Sequence, residues 1–473
     1  MADAAQNKMG VKPMLPLLFS MSLPAMASML IQALYNVVDS IFVARFHPDA
    51  LQAVSLAYPL QMVLISFGVG TAVGVNSLIA RRLGAKNYDE ANSAASTGLV
   101  LAVINWAVFL VIGLTLSRPF ISLFTKDASV IQYGTQYLTV VLCFSLGMQL
   151  SVMGEKILQS TGNMIFPMLT QMLGAVVNII FDPLLIFGIG FFPRLGVLGA
   201  AIATVFGQFC SMAFVLIILF VKKHDVKIRL KGFRMNKLTL KNIYAVGFPA
   251  IIMQCIGSVM VSGINAIISI ADISAKYSAA YINAFGIYFK LQSFVFMPVF
   301  GLNQGVSPIV GYNYGARNKK RLYSAFNLGV VIAAAIMAAG MLLFQLAPEW
   351  LLSLFESDAA SDAAANATLA EVGVPMLRII SLSFIFAACG IMFGTLFQAV
   401  GKGLYSMLMS VSRQLVVLLP VAFFMSKINM EVMWYSFPIA EIVCLGIAVV
   451  FFILLRKKEL SRLDQPAPEP AAQ

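Results

Sequence analysis

Two carboxylates in this 473-residue sequence stand where an apolar environment makes a charge expensive. Asp39, in "YNVVDSIFVARF", is the one charged residue between Lys12 and Arg45. Asp182 follows Asn178 by four residues in "AVVNIIFDPLLIFG", which places both side chains on one face of a helix. An ionisable group at the centre of a bilayer costs about 2.5 to 3.5 kcal/mol on insertion scales, so each acid needs a functional or structural reason.

The residues around Asp182 add further oxygen atoms. Pro183 has no N–H to donate, which frees the carbonyl group of Ile179 on the same turn. At ~1.5 Å of helix rise per residue, Asp39, Asp182 and Thr204 all lie roughly 9 to 12 Å below the outer surface. The sequence therefore predicts one polar cluster, formed by Asp39, Asn178, Asp182 and Thr204.

Two carboxylates that lie close together in a low-dielectric site cannot both stay ionised without a counter-charge. Either one of them holds a proton or a monovalent cation lies between them, so the cluster predicts a site that loads and unloads H+ or Na+. Carboxylate, amide and hydroxyl oxygens suit both ions, and the sequence does not choose between them. The structural alternative is that Asp39 and Asp182 only hydrogen-bond to neighbours and hold the helices together.

Other polar residues in apolar surroundings are candidates for a substrate cavity: Tyr35, Glu155, Lys290, Gln304 and Glu441. Glu155 and Lys156 come at the inner end of a predicted helix, where a solvated loop position is as plausible as a substrate contact. Glu441 either lines the cavity or pairs with Arg413. Lys290 could snorkel to the interface, bridge two groups or gate the cavity.

The chain contains no recognisable nucleotide or metal motif. The nearest candidate for a phosphate-binding loop, Gly401-Lys402-Gly403, lacks both the upstream glycine and the hydroxyl residue, and the whole sequence has two histidines. Neither ATP hydrolysis nor zinc chemistry nor a membrane enzyme is indicated. We therefore expect no cofactor, and an ion gradient is the remaining source of energy.

Composition identifies the elements that must position these residues. Hydrophobic residues make up 60% of the chain and charged residues 11%, and the mean hydropathy is +0.88, which excludes a soluble globular domain. A helix needs about 20 apolar residues to cross the hydrocarbon core. The sequence predicts twelve such spans, at approximately residues 14–44, 51–80, 93–117, 129–153, 164–190, 196–221, 242–271, 278–310, 322–347, 369–398, 403–426 and 432–455. Alternating ten-residue strands are not visible, so the prediction is an all-α integral membrane protein rather than a barrel.

The formal net charge of +12 is explained by membrane topology rather than by nucleic acid. Lys and Arg concentrate in the segments on the same side as the N-terminus, and eight of them lie between Lys222 and Lys241. The positive-inside rule then places both termini in the cytoplasm of a multi-pass protein of the inner (plasma) membrane. Membrane lipid is the expected surrounding, and since no segment indicates oligomerisation, we expect a monomer.

A weak internal repeat divides the chain. "RRLGAKNYDEANSAASTGLVLA", from Arg81, aligns with "GYNYGARNKKRLYSAFNLGVVIA", from Gly311, and "ILQSTGN", from Ile157, aligns with "LFQAVGK", from Leu396. The predicted organisation is an N-lobe, a basic cytoplasmic linker, a C-lobe and a polar cytoplasmic tail, at residues 1–221, 222–241, 242–456 and 457–473.

Each half contains six spans, an even number, so the two halves enter the membrane in the same direction. Such parallel repeats are related by an axis along the membrane normal, and two bundles of this kind usually face a central cavity. When Pro183 is aligned with Pro420, leucines replace Asn178 and Asp182 in the second half. The ion site is therefore expected in the first half alone.

Several segments together resemble the multidrug and toxic compound extrusion (MATE) transporters: "SLPAMASMLIQALYNVVDSIFVARF", "VNSLIARRLGAKN", "LQSTGN" and "VNIIFDPLLIFG". The resemblance covers residues 14 to about 455. It implies two six-helix lobes in a V shape and export of amphipathic, often cationic compounds by alternating access, in exchange for H+ or Na+. It also carries the family's N-lobe cation site onto Asp39, Asn178, Asp182 and Thr204. Pro24 matches a proline whose bending is proposed to couple ion and drug, and Pro183 is a second candidate for helix bending.

The sequence departs from those family branches that use acids in the seventh, eighth and tenth helices. The eighth predicted helix has Gln304 and the tenth has Arg378, which favours a MepA-like or DinF-like branch. The expected function is a secondary active multidrug antiporter for small organic cations. The alternative is a flippase for a lipid-linked glycan or another lipid precursor. A flippase of that kind needs a cationic cavity, for which the spans offer Lys290, Arg378 and Arg413.

Overall fold

The structure is a computed structural model that describes residues 7–229, 234–355 and 363–464. A few side chains inside these ranges, that of Asp39 among them, lie outside the described part. The regular secondary structure of the described residues is helical.

The first half of the chain contains eight helices: α1 (Lys8–Val11), α2 (Met14–Phe46), α3 (Pro48–Gly84), α4 (Tyr88–Ser122), α5 (Ala128–Cys143), α6 (Leu146–Ser160), α7 (Ile165–Phe187) and α8 (Val197–Val221). The described residues of the second half form ten α-helices: α9 (Lys237–Ser269), α10 (Ala275–Gly315), α11 (Lys319–Leu346), α12 (Pro348–Ser353), α13 (Ala363–Ser381), α14 (Phe384–Ala399), α15 (Gly403–Val411), α16 (Leu419–Ser426), α17 (Met430–Met433) and α18 (Ser436–Lys458). A π-helical segment, Ser412–Leu418, joins α15 to α16.

The fourth and tenth predicted spans are each broken into two helices. The bend between α5 and α6 is 46°, and that between α13 and α14 is 48°. At each break a serine hydroxyl donates to a backbone carbonyl three residues earlier, Ser145 to Leu142 at 2.8 Å and Ser383 to Ile380 at 2.6 Å. A side-chain donor of this kind competes with the helix's own hydrogen bonds and promotes bending. In the described residues, ten long apolar helices and two bent pairs account for the twelve predicted spans.

The backbone confirms the internal repeat, because matched residues adopt the same unusual geometry. Lys86 and Arg317 have positive φ angles of 59° and 56°. The asparagine after each of them accepts a hydrogen bond from the backbone N–H three residues later and so caps the next helix. Gly162 and Gly401, from the second aligned motif, have φ angles of 89° and 88°. The repeat seen in the sequence is therefore a repeat of turns as well as of helices.

The helices form two compact units. The N-terminal unit comprises Ser20–Ile79 and Asn87–Ser258, and it contains α4 to α8. The C-terminal unit comprises Ala80–Lys86 with the described residues before 20 and after 258. Within the C-terminal unit, the end of α3 crosses α10 so closely that a Cβ on Gly84 would clash with the carbonyl group of Tyr312. The symmetric clash would occur between Gly315 and the carbonyl group of Arg81.

Candidate functional site

Asp182 lies on α7 with a fully buried side chain, at 0% exposure. The amide of Asn178, one turn earlier, is 3% exposed and donates from Nδ2 to Asp182 Oδ1 at 3.2 Å. The same Nδ2 lies 3.4 Å from the hydroxyl oxygen of Thr204 on α8. One amide nitrogen therefore joins the carboxylate on α7 to the hydroxyl group on α8.

Two glycines allow α7 and α8 to approach closely enough for this contact. A Cβ on Gly207 would lie 2.7 Å from the carbonyl oxygen of Gly174, inside van der Waals contact. With no side chain at either position, the two backbones meet about one turn from Asn178 and Thr204. The helix pair, rather than either helix alone, positions the polar group.

The hydrogen bond to the carboxylate fixes which way the amide of Asn178 faces. Because Nδ2 donates to Asp182, Oδ1 is left as an acceptor, and no described residue donates a hydrogen bond to it. A buried carbonyl oxygen without a donor is costly, and an ordered water or a bound cation is the usual reason that it persists. The carboxylate, amide and hydroxyl oxygens fit a proton or Na+.

Three of the four residues predicted for the ion site are thus brought together. Asp39 lies on α2, but its side chain is outside the described part of the structure, so its place in the cluster stays a prediction. Pro24 lies inside α2 and Pro183 inside α7, and both helices continue through them.

The structure distinguishes between the alternatives for two of the predicted cavity residues. Glu441, on α18, pairs with Arg413 of the π-helical segment, with 2.8 Å between Oε1 and Nη1. Glu155 is 5% exposed and lies within α6, so of its two alternatives the solvated loop position does not describe it. Its Oε2 accepts a hydrogen bond from Nε2 of Gln171 at 2.7 Å.

The other three predicted cavity residues are more accessible. Tyr35 and Gln304 are partly buried. Lys290 is exposed, and its Nζ lies 5.6 Å from the ring centroid of Phe355. This distance is typical of a cation–π contact.

Gln171 is a polar residue that the sequence reasoning missed. It lies on α7, seven residues before Asn178 and eleven before Asp182, and these spacings place all three on one face of the helix. Gln171 carries no charge, so the signal that indicates it is the recurrence of polar residues on one face of α7.

Comparisons with known proteins identify the family and the fold of this chain. The family model MatE matches residues 24–184 and 243–424. "Multidrug export protein MepA" of Staphylococcus haemolyticus is 26% identical over 439 residues, which cover 92% of this chain and 93% of that protein.

Two solved structures have the same fold. One is described as the outward-facing conformation of a multidrug resistance MATE family transporter of the MOP superfamily, with a TM-score of 0.87 at 26% identity. The other is a crystal structure of MATE in complex with MaL6, with a TM-score of 0.88 at 26% identity. Each match covers 98% of this chain and 99% of the other. The predicted all-α membrane fold is therefore confirmed.

Proposed function

Because this chain belongs to the MatE family of membrane transporters, and is not an enzyme, we propose that it is a secondary active multidrug exporter. Its cargo is amphipathic and mostly cationic organic compounds, which it exports in exchange for H+ or Na+. The observation that carries this proposal is the buried Asp182 carboxylate, which accepts a hydrogen bond from the amide of Asn178, an amide that also lies within reach of the Thr204 hydroxyl group. The MepA relative, named a multidrug export protein, supports export of drugs.

In this proposal the coupling ion binds at Asp39, Asn178, Asp182 and Thr204. A buried carboxylate with neutral partners is more stable when a proton or a monovalent cation neutralises it. Loading of the ion therefore favours one arrangement of the helices, and its release favours another. Bending at Pro24 of α2 and Pro183 of α7 is the proposed link between ion binding and cargo release.

The proposed cargo contacts are four of the cavity candidates: Tyr35, Lys290, Gln304 and Glu441. Glu441 is already neutralised by Arg413, so it contributes its second carboxylate oxygen rather than a net charge. The proposed setting is the plasma membrane, with a monomer whose two termini are cytoplasmic because basic residues concentrate on that side. The proposed lobes are residues 1–221 and 242–456, joined by the linker 222–241 and followed by the tail 457–473.

The test is efflux of a cationic dye from proteoliposomes under separately imposed proton and sodium gradients. We expect one inward gradient to drive export by the wild-type protein and to lose its effect in the Asp182→Asn variant. Export that both gradients leave unchanged would contradict the proposal. An assay of lipid flipping covers the alternative function, and lipid flipping without dye export would reverse the ranking.

A further inference from the structure

The α7 helix carries two amide side chains at two heights, and each of them donates a hydrogen bond to a carboxylate. Asn178 donates to Asp182 at 3.2 Å, and Gln171 donates to Glu155 of α6 at 2.7 Å. Seven residues separate the two amides, so they lie on one helix face about 10 Å apart along its axis. Both carboxylates are nearly or fully buried, at 0% and 5% exposure.

Each amide is oriented by its carboxylate, and each leaves a buried oxygen unused. Since Nε2 of Gln171 donates to Glu155, its Oε1 must act as an acceptor, as Oδ1 of Asn178 does. In the described residues, neither oxygen receives a hydrogen bond. Two buried acceptors beside two buried carboxylates form an electronegative environment that a small cation would satisfy.

Oxygen atoms also line the interval between the two pairs. Thr204, Gln208 and Ser211 follow one another on α8 at spacings of four and three residues, which places them on one face. Oε1 of Gln208 is buried and receives no hydrogen bond from the described residues. The hydroxyl group of Ser211 occupies the space beside Gly174, between the levels of the two amides. Polar side chains of α8 therefore lie at the heights between the two pairs.

Few charged side chains lie on the helices around Glu155. Lys156 is the next residue on α6; its positive charge interacts with the Glu155 carboxylate, and its Nζ donates to Oε1 of Gln159 at 2.8 Å. The helices α7 and α8, which pack against α6, carry no Asp, Glu, Lys, Arg or His except Asp182. The α4 helix, which also packs there, adds Asp89 and Glu90 in its first turn.

We propose that Glu155 and Gln171 form a second site for a monovalent cation, H+ or Na+, in series with the Asp182 site. The ion occupies this site as it passes between Asp182 and the end of the bundle where α6 ends and α7 begins. Glu155 is then an ion ligand rather than a cargo contact. The inference rests on the proposed function, because it assigns the same coupling ion a second position.

The decisive comparison separates ion-driven transport from ion-independent exchange in proteoliposomes of the full-length protein. We expect Glu155→Gln to lower gradient-driven dye export about tenfold while dye exchange without a gradient changes by less than about twofold. Driving export with a proton gradient and with a sodium gradient in separate samples identifies the ion. Full gradient-driven export by Glu155→Gln would overturn the inference.

Two further variants distinguish ion binding from other roles. The exchanged pair Glu155→Gln with Gln171→Glu returns a carboxylate and an amide to the same site, and we expect it to recover driven export. Asp89→Asn makes the same chemical change at an exposed position and is expected to behave as wild type. An equal loss of driven export and exchange in Glu155→Gln, with a raised KM for dye, would show a cargo contact and overturn the inference.

Infrared difference spectroscopy of the purified protein tests the site without transport. Titration with H+ or Na+ should change a carboxyl band that is missing in Glu155→Gln and present in Asp89→Asn. If Glu155→Gln showed the same ion-induced carboxyl band as the wild-type protein, the second site would be contradicted. If the wild-type protein showed no gradient-driven export at all, the proposed function would fail, whereas this spectrum would still decide whether Glu155 binds the ion.

Discussion

In the first half of the chain, the buried Asp182 accepts a hydrogen bond from the neutral amide of Asn178, whereas in the second half the partly buried Glu441 faces the guanidinium group of Arg413. The repeat relates these two regions. In the alignment of Pro183 with Pro420, Glu441 takes the place of Thr204, and Leu415 takes the place of Asn178. Asp182 aligns with Leu419 and Arg413 with Val176. Equivalent helices therefore carry an acid bonded to an amide in one half and an ion pair in the other, at different positions along their length.

This difference indicates that one helical scaffold can hold either a mobile or a fixed cation. A buried acid needs a positive charge or a proton nearby. In the second half, Arg413 supplies that charge covalently, from a π-helical segment of the kind that often marks functional sites. In the first half the described side chains on α7 and α8 supply none, so a mobile ion can fill the role.

The largest expected effect is on export by the Asp182→Asn variant, which tests the mobile-cation half of this comparison. The amide keeps the shape of the side chain but cannot be neutralised by a cation, so we expect gradient-driven dye export to fall to the protein-free background. Glu441→Gln should retain a measurable fraction, because its carboxylate already has a fixed partner. If Glu441→Gln lost more gradient-driven export than Asp182→Asn in the same efflux assay, the comparison would be contradicted.

The next effect is on stability and tests the fixed-cation half. Arg413→Met leaves Glu441 buried without its counter-charge, and we expect a loss of about 3 kcal/mol in the free energy of unfolding. Adding Glu441→Gln removes the stranded charge and should restore most of that loss. Thermal unfolding in detergent measures both variants, with Asp182→Asn as the matched acid-to-amide control that is expected to lose little. A double variant as unstable as the single one would refute the fixed-cation account.

A smaller effect is expected at Thr204, the residue that Glu441 replaces in the repeat. Thr204→Val removes the hydroxyl oxygen but keeps the shape, and we expect the apparent affinity for the coupling ion to weaken roughly threefold to tenfold. Thr204→Ser keeps the oxygen and should stay close to wild type. Half-maximal activation of dye export by the ion measures the affinity. If the two variants had the same affinity for the ion, the hydroxyl group of Thr204 would not be an ion ligand.

The smallest effect tests what the two halves share rather than what separates them. Lys86 and Arg317 adopt left-handed φ angles of 59° and 56°, which cost energy in a residue with a Cβ. We expect Lys86→Gly and Arg317→Gly each to raise the free energy of unfolding by up to about 1 kcal/mol. Thermal unfolding checks the pair, and stabilisation at only one position would show that the two turns differ energetically.

Much of the fold follows from local sequence, because a bilayer imposes its own length and polarity on each segment. The spans could be predicted since apolar runs of sufficient length form helices in lipid. Their breaks could not, because Ser151 makes the same hydrogen bond to a carbonyl three residues earlier as Ser145 does, yet its helix continues unbroken. The left-handed turns at Lys86 and Arg317 were visible only as aligned motifs until the backbone showed their angles.

The candidate site was partly predictable for a related reason. Asn178 and Asp182 share one helix, so their contact follows from a spacing of four residues. Thr204 required an estimate of depth across two helices, which the 3.4 Å contact agrees with. Gln171 was overlooked because its partner, Glu155, lies on another helix, and spacing along one chain segment does not reveal such a contact.

By itself, the sequence determined the membrane class, the repeat and the scarcity of buried acids, because the cost of placing polar groups in lipid acts on each segment separately. The tertiary structure decided which partner each acid received. Arg413 and Glu441 are 28 residues apart and meet because their helices pack with a particular rotation. Asn178 reaches Thr204 because Gly174 and Gly207 let two backbones touch. Rotation and separation of packed helices depend on all of their side chains together, and no local pattern encodes them.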